Sequence, residues 1–217
     1  RMANYTHINS EFYLIIALLC LGCPCRSTLR TAQKYIFQRS NLIKLYHLSK
    51  GVLSLVDVEK IHLKMIEYFK DDVKRINHAT KVFSFARLIG KMEGLDPKKQ
   101  TVLEIASILH DIGIKVCEQK YSSTAGHLQE KEGPTVAREI LDQFDIDEVM
   151  LNRVLFLIGN HHSYQNIDDL DFQILVEADF IVNLYEDSSS KDAIFAAKKK
   201  YFRTKTGKNL IETMFGV

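Results

Sequence analysis

Asp96-Pro-Lys-Lys-Gln-Thr-Val-Leu-Glu-Ile-Ala-Ser-Ile-Leu-His-Asp-Ile-Gly113 is the stretch on which the fold turns. Asp96 suits a helix N-cap and Pro97 the first helical position, where the missing N–H costs nothing. Val102, Ile105, Ala106 and Leu109 recur at helical spacing and face inward. The helix then delivers two polar residues, His110 and Asp111, just before Gly113.

Working outward, the same periodicity repeats on both sides. Asp57 caps a helix with Val58, Ile61, Met65 and Phe69 on one stripe. A helix over 72–92 places His78, Val82, Phe85 and Ile89 on one face, and Gly94 ends it. Downstream, 113–131 is polar and irregular and reads as a surface loop. Gly133-Pro134 opens a helix with Val136, Ala137, Ile140, Leu141 and Phe144. Asp147 caps another, which runs through Met150, Leu151, Val154, Leu155 and Ile158 to Asn160-His161-His162. A helix over 170–186 shares Phe172, Leu175, Val176, Asp179 and Val182 on one face, and the last forty residues read as one amphipathic helix with a basic tail.

The bulk properties agree. The chain has 217 residues with 46% hydrophobic content, ten Gly and three Pro. That is enough for one core, and too few turn-formers for a β architecture. There is no repeat, glycine-rich phosphate loop or alternating strand pattern, so the fold class is all-α. A formal charge of +2 is too near neutral to imply nucleic acid as an obligate partner, and none is expected. Cys20, Cys23 and Cys25 crowd together and Cys117 stands alone, which is no disulfide framework and points to a reducing, cytoplasmic setting.

The first residues differ from the rest. Residues 12–21 form an apolar run of signal-core length, too short for a confident membrane span. Glu11 beside it and the distant Arg1 are poor signal flanks, and Leu-Gly-Cys at 21–23 only partly matches a lipoprotein cleavage site. Residues 1–51 are therefore read as an extension, either added in cloning or started too far upstream. Export or lipidation is the lesser alternative. The helical domain is expected over 52–217, with no membrane partner and with a homodimer left open.

A histidine on an apolar stripe is more often a hydrogen-bonded core residue than a ligand. An aspartate there is rarer, because an unpaired buried carboxylate is costly. Here His78 and Asp179 each interrupt an apolar face and His110-Asp111 ends a third. Such groups compensate one another only by pairing or by sharing a cation. A mixed nitrogen and oxygen set suits Mn, Fe, Co or Zn rather than calcium.

His-Asp-Ile-Gly at 110–113, with His78 before it and Asp179 after it, resembles the HD superfamily of metal-dependent phosphohydrolases over roughly residues 57–187. The ordered set carries the resemblance more than the four-residue string does. It implies an HD-type helical bundle of about six to eight helices, with His78, His110, Asp111 and Asp179 as ligands to one or two divalent metals. For a second metal it implies His161, with His127 or Glu132 as the further candidate, and it lets His162 touch a substrate phosphate or metal-bound water. Family members with His-Asp-Ile-Gly-Lys place a basic residue directly after the Gly; here Ile114 stands there and Lys115 comes one position late. The Gly-Tyr-Pro hallmark of the cyclic-di-GMP-cleaving branch is absent. The resemblance implies hydrolysis of a small phosphorylated substrate, a nucleotide or dinucleotide, with Asp111 as ligand and Lys115, His161 and His162 stabilising charge or supplying a proton. The alternatives are a mixed-valence di-iron oxygenase on the same ligand set, or a non-catalytic nucleotide-binding signalling module.

Overall fold

The structure, a computed structural model, describes residues 56–217. The reading of residues 1–51 as an extension lies outside them. The described residues hold nine helices and no strand: α1 (Val58–Phe69), α2 (Val73–Met92), α3 (Pro97–Leu109), α4 (Ile114–Tyr121), α5 (Gly126–Leu141), α6 (Glu148–Ile158), α7 (Leu170–Glu186), α8 (Lys191–Tyr201) and α9 (Lys205–Phe215). This is the all-α helical bundle expected.

Two helices form the middle. Val102 through Leu109 are all buried on α3, and Asp171 through Asp179 are all buried on α7. A helix enclosed on every side is a core helix, not a surface one. The helix α2 packs against both, α1 and α6 pack on α3, α5 packs on α6, and α8 and α9 pack on α7. The caps follow the sequence: Asp57, Asp72, Asp96 and Asp147 each accept backbone N–H groups of the first turn of their helix. Gly94 takes φ +75°, which favours glycine.

Three local expectations are corrected. The supposed loop 113–131 contains α4, held by the fully buried Cys117 with Ile114 and Val116 packed on the core. Eight residues give too few turns for a periodic signal. The next helix begins at Gly126, not at Gly133-Pro134, so Pro134 lies inside α5. Proline disfavours a helical predecessor mainly through a clash with its Cβ and N–H, and Gly133 lacks the Cβ. The final forty residues form two helices, because the chain turns extended at Phe202 and restarts at the N-cap Thr204. No helix among the described residues is long and apolar enough to cross a membrane.

Candidate metal centre

The site sits where α2, α3 and α7 meet the turn after α6. The imidazoles of His78, His110 and His161 are each oriented by their own local backbone or a neighbouring carboxylate, and Nδ1 of His162 lies 3.3 Å from the Tyr164 hydroxyl. His110 Nδ1 lies 2.9 Å from the Ser107 carbonyl, and His161 Nδ1 lies 2.8 Å from the Ile158 carbonyl. A carbonyl only accepts, so both Nδ1 atoms carry hydrogen and both Nε2 atoms present lone pairs in the neutral ring. His78 Nδ1 faces Glu186 Oε2 at 3.0 Å, and Lys81 holds the other Glu186 oxygen at 2.8 Å. On α7, Asn183 donates to Asp179 Oδ1 at 2.8 Å.

The Nε2 atoms converge on two carboxylates. His78 Nε2 is 3.2 Å from Asp179 Oδ1 and 3.2 Å from His110 Nε2. Asp111 Oδ2 is 3.6 Å from both of these imidazoles, while its Oδ1 turns to His161 Nε2 at 3.3 Å. One carboxylate therefore faces two sets of histidines. The donor atoms of His78, His110 and Asp111 lie within 4.8 Å of one another, and so do those of Asp111, His161 and His162. His110 is sealed, with its side chain 1% exposed, whereas Asp111 retains 20% and marks the open side.

As side chains alone, these groups draw positive charge. Burial pulls His78 down, but the hydrogen bond and charge of Asp179, with Asp111 and Glu186, outweigh it and raise the imidazole to about 9. His110 is raised likewise: burial opposes ionisation, and Asp111 and Asp179 overcome it. Asp111 and Asp179 are held well below the usual carboxylate range, their burial outweighed by His110 together with His161 or His78. His162 is the exception. Burial, reinforced by the charge of His161, lowers it to about 4, so it is neutral near pH 7.

A metal ion fits this donor set on two observations. The buried Nε2 of His162 has no hydrogen-bond partner, and that of His161, whose Nδ1 holds the ring hydrogen, turns a lone pair to Asp111 Oδ1, conditions that a cation would relieve. His78 Nε2 and His110 Nε2 face each other at 3.2 Å, which requires an extra proton or a cation between them. Nitrogen and oxygen donors of this kind match Mn, Fe, Co or Zn.

His78, His110, Asp111 and Asp179 are thus brought together, with His161 and His162 on the far side of Asp111. Three other residues are not. His127 is exposed on the first turn of α5. Both carboxylate oxygens of Glu132 are engaged, by Lys120 at 2.6 Å and by the Tyr121 hydroxyl at 2.8 Å. Lys115 donates to the Tyr68 carbonyl at 3.2 Å and lies over that ring, pointing to α1. The sequence reading missed Glu186 and Asn183, although they follow Asp179 at i+7 and i+4 on the same face. It also missed Glu130, whose Oε1 accepts the His162 N–H and the Ser163 hydroxyl, each at 3.0 Å, and so fixes the turn bearing both histidines.

Comparison with known proteins bears on the family and the fold. Residues 75–198, more than half of the chain, match the model of the HD domain. A crystal structure of a predicted HD superfamily hydrolase from an uncultured Thermotogales bacterium is similar at 23% identity and a TM-score of 0.56, over 78% of this chain and 91% of that one. No curated protein matches. The matched segment runs from just before His78 to beyond Asp179 and includes His110, Asp111, His161 and His162, so the chain belongs to the HD-domain family.

Proposed function

We infer that the protein is a metal-dependent phosphohydrolase acting on a small phosphoester, a nucleotide or dinucleotide. The observation that carries this is the single carboxylate of Asp111 turned to two histidine sets, each with lone pairs directed inward. His78, His110, Asp111 and Asp179 would hold one divalent ion, and Asp111, His161 and His162 would hold a second. Such ions lower the pKa of water and withdraw charge from phosphoryl oxygens.

The chain's own residues do the rest. Glu186 holds the His78 ring and raises its basicity, and Asn183 steadies Asp179. Neutral near pH 7, His162 has no spare proton for a leaving oxygen but is well suited to donate a lone pair or one hydrogen bond. Lys115, turned toward Tyr68, is left out of this scheme. His110 is sealed from solvent, so a substrate would approach from the side of Asp111, which keeps 20% of its side chain exposed.

Asp111→Ala should abolish both bound metal, by elemental analysis, and turnover of a panel of phosphate esters, while helical circular dichroism stays within a few per cent of wild type. Full metal stoichiometry in that variant would overturn the assignment. An iron-loaded sample that consumes O₂ with substrate would overturn hydrolysis in favour of oxygenation.

A further inference from the structure

Two depressions of the described surface differ in the charge of their linings. One, of about 520 Å³, is lined by Asp71, Asp72, Glu118, Arg75 and Lys115 among others. Its three carboxylates outnumber its two cations, and Arg75 is already paired with Asp72 at 2.7 Å and Glu118 at 2.6 Å. An anion gains nothing there.

The other begins at His162. It has about 460 Å³ and is lined by His162, Tyr164, Gln165, Asn166, Lys200 and Tyr201 together with Ser163. Tyr164, Gln165, Lys200 and Tyr201 also line a second hollow of about 220 Å³ that runs on to Arg203, so the two form one groove. No carboxylate lines either part. Lys200 has no carboxylate partner among the described residues; its ammonium lies 4.9 Å from the centre of the Tyr201 ring. The aromatic wall is built from three separate elements. Tyr201 stacks on Phe180 at 4.5 Å, and Tyr164 stands 5.1 Å from both rings. The Tyr164 hydroxyl lies 3.3 Å from His162 Nδ1, so this wall adjoins the cluster.

A wall of packed aromatic rings, two carboxamides able to read donor and acceptor edges, and an ammonium over the Tyr201 ring with no carboxylate partner among the described residues together specify a ligand's chemistry. Resting on the phosphohydrolase reading above, we propose that this groove takes the leaving portion of the substrate: an aromatic heterocycle against Tyr164 and Tyr201, and a second anionic group on Lys200. Lys200 is then the residue that selects a substrate with two anionic groups over one with a single ester. It touches neither the cluster nor the scissile bond.

Adenosine 5′-monophosphate and adenosine 3′,5′-bisphosphate make a matched pair of probes that differ by one phosphate. Binding of each to the metal-loaded protein is measured by titration calorimetry, and release of inorganic phosphate is measured separately. The wild type should bind the bisphosphate about fivefold more tightly, the range of one exposed charge pair. Lys200→Ala should erase that preference, Lys200→Glu should invert it and Lys200→Arg should keep it, all with unchanged metal content and circular dichroism. A preference that survives Lys200→Ala, equal binding of both probes by the wild type, or binding of neither overturns the groove assignment. If the Lys200-dependent preference is found but no phosphate is released from a broad ester panel, the groove stands and the hydrolase reading falls. If phosphate is released but the preference is indifferent to Lys200, the hydrolase reading stands and the groove falls.

Discussion

His78 shows how one residue is assigned its work by its neighbours. Its Nδ1 is committed to Glu186, its Nε2 faces Asp179, Asp111 and His110, and these carboxylates raise the ring from 6.5 to about 9 despite burial. A metal requires the neutral ring, so loading at pH 7 must expel protons. Calorimetric titration of chelated protein with Mn²⁺ or Zn²⁺ in buffers of different ionisation enthalpy should therefore show net proton release, and affinity should rise as pH goes from about 6 to 9. For the chelated protein the sign of the stability effect is the reverse. A folded pKa above the unfolded one stabilises fully below pH 6.5, and that contribution, roughly 3 kcal/mol at most, is lost as pH climbs through about 9. Denaturant titrations across this window check it; stability rising with pH in the chelated protein would contradict the described environment of His78.

Among the elements, the turn between α3 and α4 meets α5 at two glycines. A Cβ on Gly113 would sit 2.6 Å from the Gly133 nitrogen and 2.8 Å from its α-carbon. These are backbone atoms and cannot rotate away. Gly113→Ala should push α5 from the turn bearing His110 and Asp111, destabilising the protein by about 1–3 kcal/mol. The measurement is the denaturation midpoint, with metal content falling alongside. The start of α3 was plain in the sequence because Asp96 and Pro97 are local signals that work through side-chain and ring geometry. The start of α5 was not. Its cap, Ala125, makes no side-chain hydrogen bond, so nothing at that end announces a helix, while Pro134 announces one falsely.

Across the whole molecule, the last two helices are tied to the core through one buried carboxylate. Glu177 on α7 accepts from the backbone N–H groups of Arg203 (2.5 Å) and Thr204 (2.8 Å), from the Thr204 hydroxyl, and from Gln173 at 2.8 Å. It therefore sits at the N-terminus of α9, where the helix dipole favours negative charge. Glu177→Ala would strand those donors in a buried place and should cost about 3–5 kcal/mol, with hydrogen exchange rising first in α8 and α9. Glu177→Gln should cost less, since it keeps the shape and one acceptor. If the groove beside His162 is built as described, loosening α8 in the Ala variant also displaces Lys200 and Tyr201.

The sequence alone determined the helical class and marked His78, His110, Asp111 and Asp179 as out of place on or at the ends of apolar helices, while His161 and His162 came with the resemblance to the HD superfamily. The first two are local facts: apolar residues recur every three to four positions, and a carboxylate such as Asp179 on such a stripe is too costly to be incidental. Three matters were left to the tertiary structure. It turned the two oxygens of Asp111 toward different histidines, and it left His127 exposed and Glu132 engaged by Lys120 and Tyr121. It also carried Lys200 to the groove that begins at His162. No local pattern encodes these outcomes, because each depends on the packing of helices far apart along the chain, and on the competition among buried polar groups for partners.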